Sequence, residues 1–398
     1  MKIYYNPITE TWYSTNRNIT LGHLKEPISE ELPHSSHPSY SISISSDNNA
    51  GPIIGIMIAR NKKNQLVGNE DLFIRLQQGL HHLGGVVILF SPDGLYNDHL
   101  TGYIYTLRDN KWMKAKAPLP NIVYNRIAFR NTEKQAPFQK ALSILQEKNI
   151  PFFNPSFLNK WDLYELLAKH PLIKNYLPET TLLSNLEQLE DFLEKYKCIY
   201  VKSLEGYKGK HIYRIEKITP IHYNVSTTKY TEIYSNLETL WNNYTIWHKK
   251  SFLIQKGIDS ALLQGKRYDF RLLVTYKDEA YVLNGIGVRQ SNQQDITTHI
   301  PSGGKLIPYQ EVQSDSHDFF FETIAQQCGE LLTEQYGFFG EFSIDACIDK
   351  EGKYYIFEVN SKPMLFDEPH IEEARINHLL YLFYSLSNFP HPEWDKEK

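Results

Sequence analysis

The chain is short of several things, and each shortage closes off a class of function. Cysteine occurs only as Cys198, Cys328 and Cys347 in 398 residues. An odd, scattered set excludes a disulfide framework and a cysteine-rich zinc site; it fits a reducing compartment, with each thiol read as a small buried apolar group. No stretch approaches the ~20 apolar residues of a membrane span. The N-terminal MKIYYNPITETWYS has no apolar core of a secretion signal. A cytoplasmic protein without membrane contact is therefore expected, in which the Asn-x-Ser/Thr matches at Asn18 and Asn224 are accidental. Charge of one sign is also scarce: the net value of -4 supplies no field for a nucleic acid partner, so basic residues must act locally. There is no internal repeat, and an apolar content of 41% over this length suits two or three cores better than one small module.

What is present reads as α/β (α+β). Residues 1–48 alternate short β-like runs with turn residues and end in the polar HSSHPSYSISISSDNNAG, which predicts a small β-rich segment and then a linker. Residues 49–150 alternate strand and helix (GPIIGIMIAR, DLFIRLQQGLHHLG, GVVILFSP, NIVYNRI, FQKALSILQEKN), as in an open sheet with packed helices. From 151 to 390 the pattern is mixed: a helix over about 155–170, a strand near PETTLL, a helix at NLEQLEDFLEKY and the strand CIYVKS. Mostly β sequence follows, broken by helices near 236–248 and 317–335.

Two places in the last region carry chemistry. KYYIFEVNSKP, residues 353–363, is a strand whose alternation puts Tyr354, Ile356, Glu358 and Asn360 on one face, and Tyr355, Phe357 and Val359 on the other. The preceding GEFSIDACIDKEG is a second strand with a turn at 349–352. A hairpin centred between Lys350 and Glu351 pairs Asp345 with Ile356, so Asp345, Glu358 and Asn360 share a face. Three hard oxygen donors suit Mg²⁺, though a Glu and an Asn at a strand end also serve as ordinary solvated exit residues. The second place is IYVKSLEGYKGKHIYRI, two strands around Gly206, Lys208, Gly209 and Lys210, with Lys202 closing the first strand. Glycines admit phosphate oxygens to backbone N–H groups and lysine adds a point charge, yet the same sequence makes a plain solvated turn. It is not a Walker loop, since no GxxxxGK[ST] is present and a strand follows.

In combination these motifs resemble the ATP-grasp superfamily. Asp345, Glu358 and Asn360 are similar to the magnesium ligands of D-alanine:D-alanine ligases. Lys202 with EGYKG (Gly206, Lys208, Gly209) resembles the phosphate lysine and glycine loop of that fold, and Lys160 in LNKWDLYELL its upstream phosphate lysine. FLIQKGI resembles the adenine-reading strand, with Gln255, Lys256 and Gly257, where many members carry Glu at the glutamine position. RYDFRLLV resembles the part of glutathione-synthetase-like members that places Asp269 and Arg271 near ribose and phosphate. GIGVRQSN and HIPSGGKLIP resemble their reaction-centre segments, here Arg289 and Ser302 to Lys305 with Gly303 and Gly304. The narrower resemblance, through NPSFLNKW, VKSLEGYKGKHIYRI, QKGI, YDFRLLV and GEFSIDACID, is to the endospore coat-associated YheC/YheD group of spore-forming bacteria. One departure is Lys362 in SKPMLFDEP, where dipeptide ligases continue Ser-Pro-Gly, so their acceptor chemistry does not transfer.

The resemblance implies an ATP-grasp fold preceded by an open α/β pre-grasp domain. It implies ATP and Mg²⁺ as cofactors, and carboxylate and amine substrates, small or peptidic, joined through an acyl phosphate. Lys160, Lys202 and Arg271 would neutralise the moving phosphoryl group, while Arg289 and the N–H groups of Gly303 and Gly304 would stabilise the oxyanion. Arg126 is a candidate for a substrate carboxylate or a packing residue. The alternative is an ATP-binding coat protein without turnover, partnered by spore coat proteins and associated with the spore coat.

Overall fold

The computed structural model describes residues 1–61, 63, 65–204, 211–292, 296, 298, 300 and 303–391. The N-terminal residues build two small four-stranded sheets. The polar stretch expected to be a linker is part of them: Ser39–Ser41 pairs with Lys2–Asn6, and Tyr40 and Ile42 are buried. SYSISI alternates with period two through two short strands, Ser39–Ser41 and Ser43–Ile44, one in each sheet; its outward positions are merely small and polar, and composition alone hides that.

The next layer is a six-stranded sheet. Its central strands Ile53–Met57 and Val86–Phe90 run parallel, joined by parallel Ile122–Asn125 and Phe152–Phe153. Both central strands are buried along their whole length, which is why they read as unbroken apolar runs. Helix Glu70–Leu83 covers one face; Asn69 caps its start, and Gly84, at φ +96°, ends it in a conformation that favours glycine. An antiparallel hairpin, His99–Thr106 with Lys111–Pro118, extends the edge, and no feature in the pattern reading had marked it. The C-terminal helix Pro369–Ser387 returns to this layer, where Leu379, Leu380 and Phe383 join Leu72 and Leu76 in one core.

Two antiparallel sheets follow. The first runs, in order, Thr180–Leu182, Phe252–Lys256, Cys198–Ser203, Ile212–Lys217, Tyr223–Ser226 and Thr231–Tyr234. One face packs Ile199, Val201, Ile215 and Ile254 under helix Leu186–Tyr196; the other carries Lys202 and Gln255. The second sheet runs Lys305–Ile307, Ala280–Gln290, Lys266–Lys277, Glu341–Ile348 and Tyr354–Asn360. Helix Asp315–Tyr336 covers one face, closely enough that a Cβ at Gly329 would sit 2.1 Å from the Tyr281 ring. The helix expected from 155 begins at Lys160, because Asn159 accepts from Trp161 and Asp162 N–H and so fixes the first turn. The helix expected over 236–248 is two short ones, Leu237–Asn243 and Ile246–Lys249, with Tyr244 and Thr245 between them.

At the start of strand Glu341–Ile348, on the face that also carries Ser343 and Asp345, a buried ionic cluster joins the layers. Arg375 on the C-terminal helix donates Nε and Nη2 to both oxygens of Glu341, each at 2.6 Å, and both side chains are fully buried. Tyr124 and Arg126, from the six-stranded sheet, meet the same carboxylate. Asn154 donates to the backbone oxygens of Glu341 and Ser361 at 2.8 and 2.5 Å. The strand that begins at Glu341 is therefore anchored from three directions.

Candidate active site

Register decides what the second sheet presents to the cleft. One rung runs Gly287, Arg271, Asp345, Glu358, and beside it lie Arg289 with Asp269 and Ser343 with Asn360. The expected pairing of Asp345 with Ile356 is corrected: Asp345 pairs with Glu358 and Ala346 with Ile356, leaving Phe357 as an extra, bulged residue. Regular alternation would have put Tyr354 and Ile356 with Glu358 and Asn360. The bulge instead turns Ile356 to the core with Val359, while Asp345, Glu358 and Asn360 still share the cleft face.

These three oxygen-bearing side chains are already engaged by protein groups. Asn360 Nδ2 donates to Asp345 Oδ2 at 3.3 Å, Arg289 Nη2 to Asp345 Oδ1 at 2.9 Å, and Lys160 Nζ lies 3.3 Å from Glu358 Oε1. Arg289 also donates Nε to Asp269 Oδ1 at 3.2 Å, and Thr298 donates to the other oxygen of Asp269. Burial alone would depress the Arg289 guanidinium, but Asp269 and Asp345 raise it instead; burial pushes the Asp269 carboxyl up against the pull of Arg289. Arg271 stacks its guanidinium 4.8 Å from the Phe366 ring and donates Nη2 to the Met364 oxygen at 3.4 Å. Burial lowers its pKa.

Across the cleft, Lys202 donates to Gln255 Oε1 at 2.5 Å, and Gln255 Nε2 donates in turn to Thr180 Oγ1 at 3.1 Å. Burial, then repulsion from Lys160, brings Lys202 down to about 8 against the pull of Glu358 and Asp345. Lys160, Tyr164, Lys202, Gln255, Phe357 and Glu358 line a cavity of about 50 Å³ between the two sheets. That is space for a few waters. Lys256 does not line that cavity; its Nζ lies 5.5 Å from the Tyr196 ring. Gly257 approaches the Cys198 backbone so closely that a Cβ would meet its oxygen at 2.9 Å.

Gly303 takes φ +92°, and Gly304 precedes Lys305–Ile307, which pairs beside Arg289. Gly206, Lys208, Gly209, Lys210 and Ser302 lie outside the described residues. Arg126 is taken up in the ionic cluster: Nη1 lies 3.4 Å from Glu341 Oε1, and Nη2 donates to Pro363 O at 2.9 Å. Lys362 is buried against Glu133. Sequence reasoning missed Thr180, Tyr164 and Phe357, all cavity residues. Only the Pro-Glu-Thr-Thr strand signal pointed near the first, and a bulge leaves no signature in a single sequence.

Two antiparallel sheets closing on a cleft, each contributing charged groups, constitute the ATP-grasp fold. Solved structures share it: D-alanyl-alanine synthetase A from Vibrio cholerae matches with a TM-score of 0.53 over 85% of this chain and 99% of that one, at 11% identity. VanG D-Ala:D-Ser ligase from Enterococcus faecalis matches with a TM-score of 0.51 over 85% and 99%, at 10% identity. A family profile described as YheC/D like ATP-grasp matches residues 149–385. The Bacillus subtilis endospore coat-associated protein YheD is 31% identical over 345 residues, 81% of this chain and 76% of YheD. YheC from the same organism is 26% identical over 295 residues, 69% of this chain and 78% of YheC. The chain belongs to the YheC/D-like ATP-grasp family. Among the described residues, no helix is long and apolar enough to cross a membrane.

Proposed function

We propose that the protein is an ATP- and magnesium-dependent carboxylate–amine ligase that activates an acid as its acyl phosphate and joins it to an amine. The reading rests above all on one arrangement: Asp345, Glu358 and Asn360 beside Arg271 and Arg289 on one sheet, facing Lys160 and Lys202 across the cleft. The oxygen set fits Mg²⁺, which prefers hard donors, and the cations Arg289 and Lys160 already seated on Asp345 and Glu358 mark both carboxylates as cation-seeking. When bound, the ion would draw charge from the β and γ phosphates. Lys160 and Lys202 would hold phosphate oxygens, with Gln255 fixing Lys202 in place and the strand at Gln255, Lys256 and Gly257 bordering the adenine. Asp269 would keep Arg289 oriented, and Arg289, with the N–H groups of Gly303 and Gly304, would stabilise the oxyanion of the acyl-transfer step. Domain limits of 1–48, 49–150 and 151–390 belong to the same proposal.

The test is ADP release from ATP and Mg²⁺ in the presence of a library of amino acids and short peptides. Acid- and amine-dependent release supports the ligase; release no faster than without protein, for every pair, defeats it. The names of the two relatives favour a second reading, a cytoplasmic or spore-coat-associated protein that binds ATP and coat proteins without turnover. Tight Mg-ATP binding combined with absent ADP release would select it.

A further inference from the structure

The segment after Asn360 folds back over the cleft face of the second sheet. Phe366 and Ile371 pack on Leu273, and Ile371 lies over Gly285, where a Cβ would meet its Cγ2 at 2.6 Å. One rung further toward the site, Glu368 lies over Gly287, where a Cβ would meet Glu368 Oε1 at the same 2.6 Å. Two glycines on one face of Ala280–Gln290 thus let this segment reach the sheet, and the residue delivered over the rung of Arg271, Asp345 and Glu358 is a carboxylate. At strand spacings of about 4.8 Å, Gly287 is one strand from Arg271 and two, about 10 Å, from Asp345.

Glu368 stands at the N-cap of Pro369–Ser387, yet its side chain makes no capping bond. Its Oε1 is buried and has no hydrogen-bond partner, and among the described residues no cation lies within ion-pair distance. Among the described residues this carboxylate neither caps its helix nor forms an ion pair; it meets its own backbone N–H and is held against a glycine at the edge of a cationic site. Burial raises its pKa; its own backbone N–H lowers it, Asp367 beside it raises it, and Arg289 and Arg271 on the two facing strands lower it.

We propose that Glu368 is the base of the amine half-reaction. The proposal rests on the ligase reading. The acceptor arrives as an ammonium, and one N–H proton passes to the Glu368 carboxylate. The freed nitrogen lone pair forms the C–N bond at the acyl carbon, the C–O bond to phosphate breaks, and the second nitrogen proton leaves with the phosphate. Arg271, one strand away, faces the anionic acyl phosphate while Glu368 faces the cationic amine, so one rung sorts the two substrates by charge.

The experiment separates the two half-reactions. With ATP, Mg²⁺ and a panel of amino acids and short peptides, hydroxylamine is supplied as a nucleophile that is unprotonated at neutral pH and needs no base, and hydroxamate is measured. Amine transfer is then measured with glycine, lysine and putrescine. Glu368→Gln should keep hydroxamate formation within a few-fold and lose amine transfer by about 100- to 10,000-fold. Wild-type amine transfer should fall as pH drops through the raised pKa of Glu368, and the Gln variant should lack that limb. Glu368→Asp should recover part of the rate. Gly287→Ala, which displaces the carboxylate without removing it, should give an intermediate loss. If Glu368→Gln transfers amines like the wild type, or loses hydroxamate and amide formation equally, the assignment is overturned while the ligase stands. If wild type forms no acid-dependent hydroxamate with any acid, the ligase reading fails first and Glu368 with it.

Discussion

Arg375→Met tests whether the ionic cluster at Glu341 holds the site in place. Arg375 meets Glu341 through two bonds of 2.6 Å with both groups fully dehydrated, and Nη1 also reaches Glu372 at 3.0 Å. Burial alone would raise the Glu341 carboxyl; Arg375, then Arg126 and Tyr124, bring it below the ordinary carboxylate range. Methionine fills much of the space but leaves Glu341 with Arg126 at 3.4 Å and the Tyr124 hydroxyl. Orphaning one member of a buried pair costs about 3–5 kcal/mol, and the remaining arginine argues for the lower end, about 3. At about 2–4 °C per kcal/mol for a domain of this class, Tm should fall by about 6–12 °C in calorimetry at neutral pH. The sign of the pH dependence follows from the depressed pKa. The stabilisation is complete above the unfolded carboxyl value and is lost as pH falls through the folded one, so the gap between variant and wild type should narrow in acid. Glu341→Gln combined with Arg375→Met removes the stranded charge and should recover most of the loss. A single variant within about 1 kcal/mol of wild type, or a double variant as unstable as the two singles summed, would refute the reasoning.

Lys202, at about 8, should make Mg-ATP affinity fall by up to about tenfold per pH unit above that value, because only the charged amine attracts phosphate. Calorimetry should show Lys202→Met flattening the profile; a wild-type profile already flat from about pH 7 to 9 would remove Lys202 from the phosphate site. Glu358→Gln keeps the shape and removes the charge, so Mg²⁺ dependence of the ATP-induced thermal shift should move to about 10- to 100-fold higher ion concentration. An unmoved curve would put the ion elsewhere. Gly329→Ala should destabilise by about 1–3 kcal/mol, since the new methyl meets the Tyr281 ring at 2.1 Å between helix and sheet; an unchanged denaturant midpoint would contradict that contact.

How far these residues could be read from sequence depended on whether their placement is local. The sheets of the last region were legible because alternation is local: Phe342, Ile344 and Ala346 announce their core face without help from the rest of the chain. The pairing of Glu358 and Asn360 with Asp345 was legible only in outcome. A hairpin drawn without a bulge puts all three on one face, and so does the true one, but by a different register, in which Phe357 is spent and Ile356 changes sides. That two registers agree on the oxygen triad and disagree on the apolar residues says which constraint is stricter. Carboxylates at positions 345 and 358 cannot be buried unpaired, whereas Ile356 and Phe357 can exchange core and cleft at the cost of one extra residue.

The hairpin at 99–118 escaped for the opposite reason. Burial alternates along His99–Tyr103, but the inward positions are Leu100, Gly102 and Ile104, and the glycine breaks the apolar alternation that would have announced the strand. Arg126, for which packing was one of two readings, and Lys362 and Glu341, to which no partner had been assigned, show how a charged residue in sequence looks solvated or catalytic by default. Only the fold shows that their partners come from positions more than two hundred residues away. Glu368 is the converse case. Its place after a strand and before a proline reads as an ordinary helix cap, and what sets it apart is the capping bond it does not make and the glycine across from it on another strand. Charges that matter for chemistry and charges that matter for cohesion are thus separated here by their partners: Glu341 and Arg375 meet through both carboxylate oxygens, while Arg271 Nε and Glu368 Oε1 have no hydrogen-bond partner among the described residues.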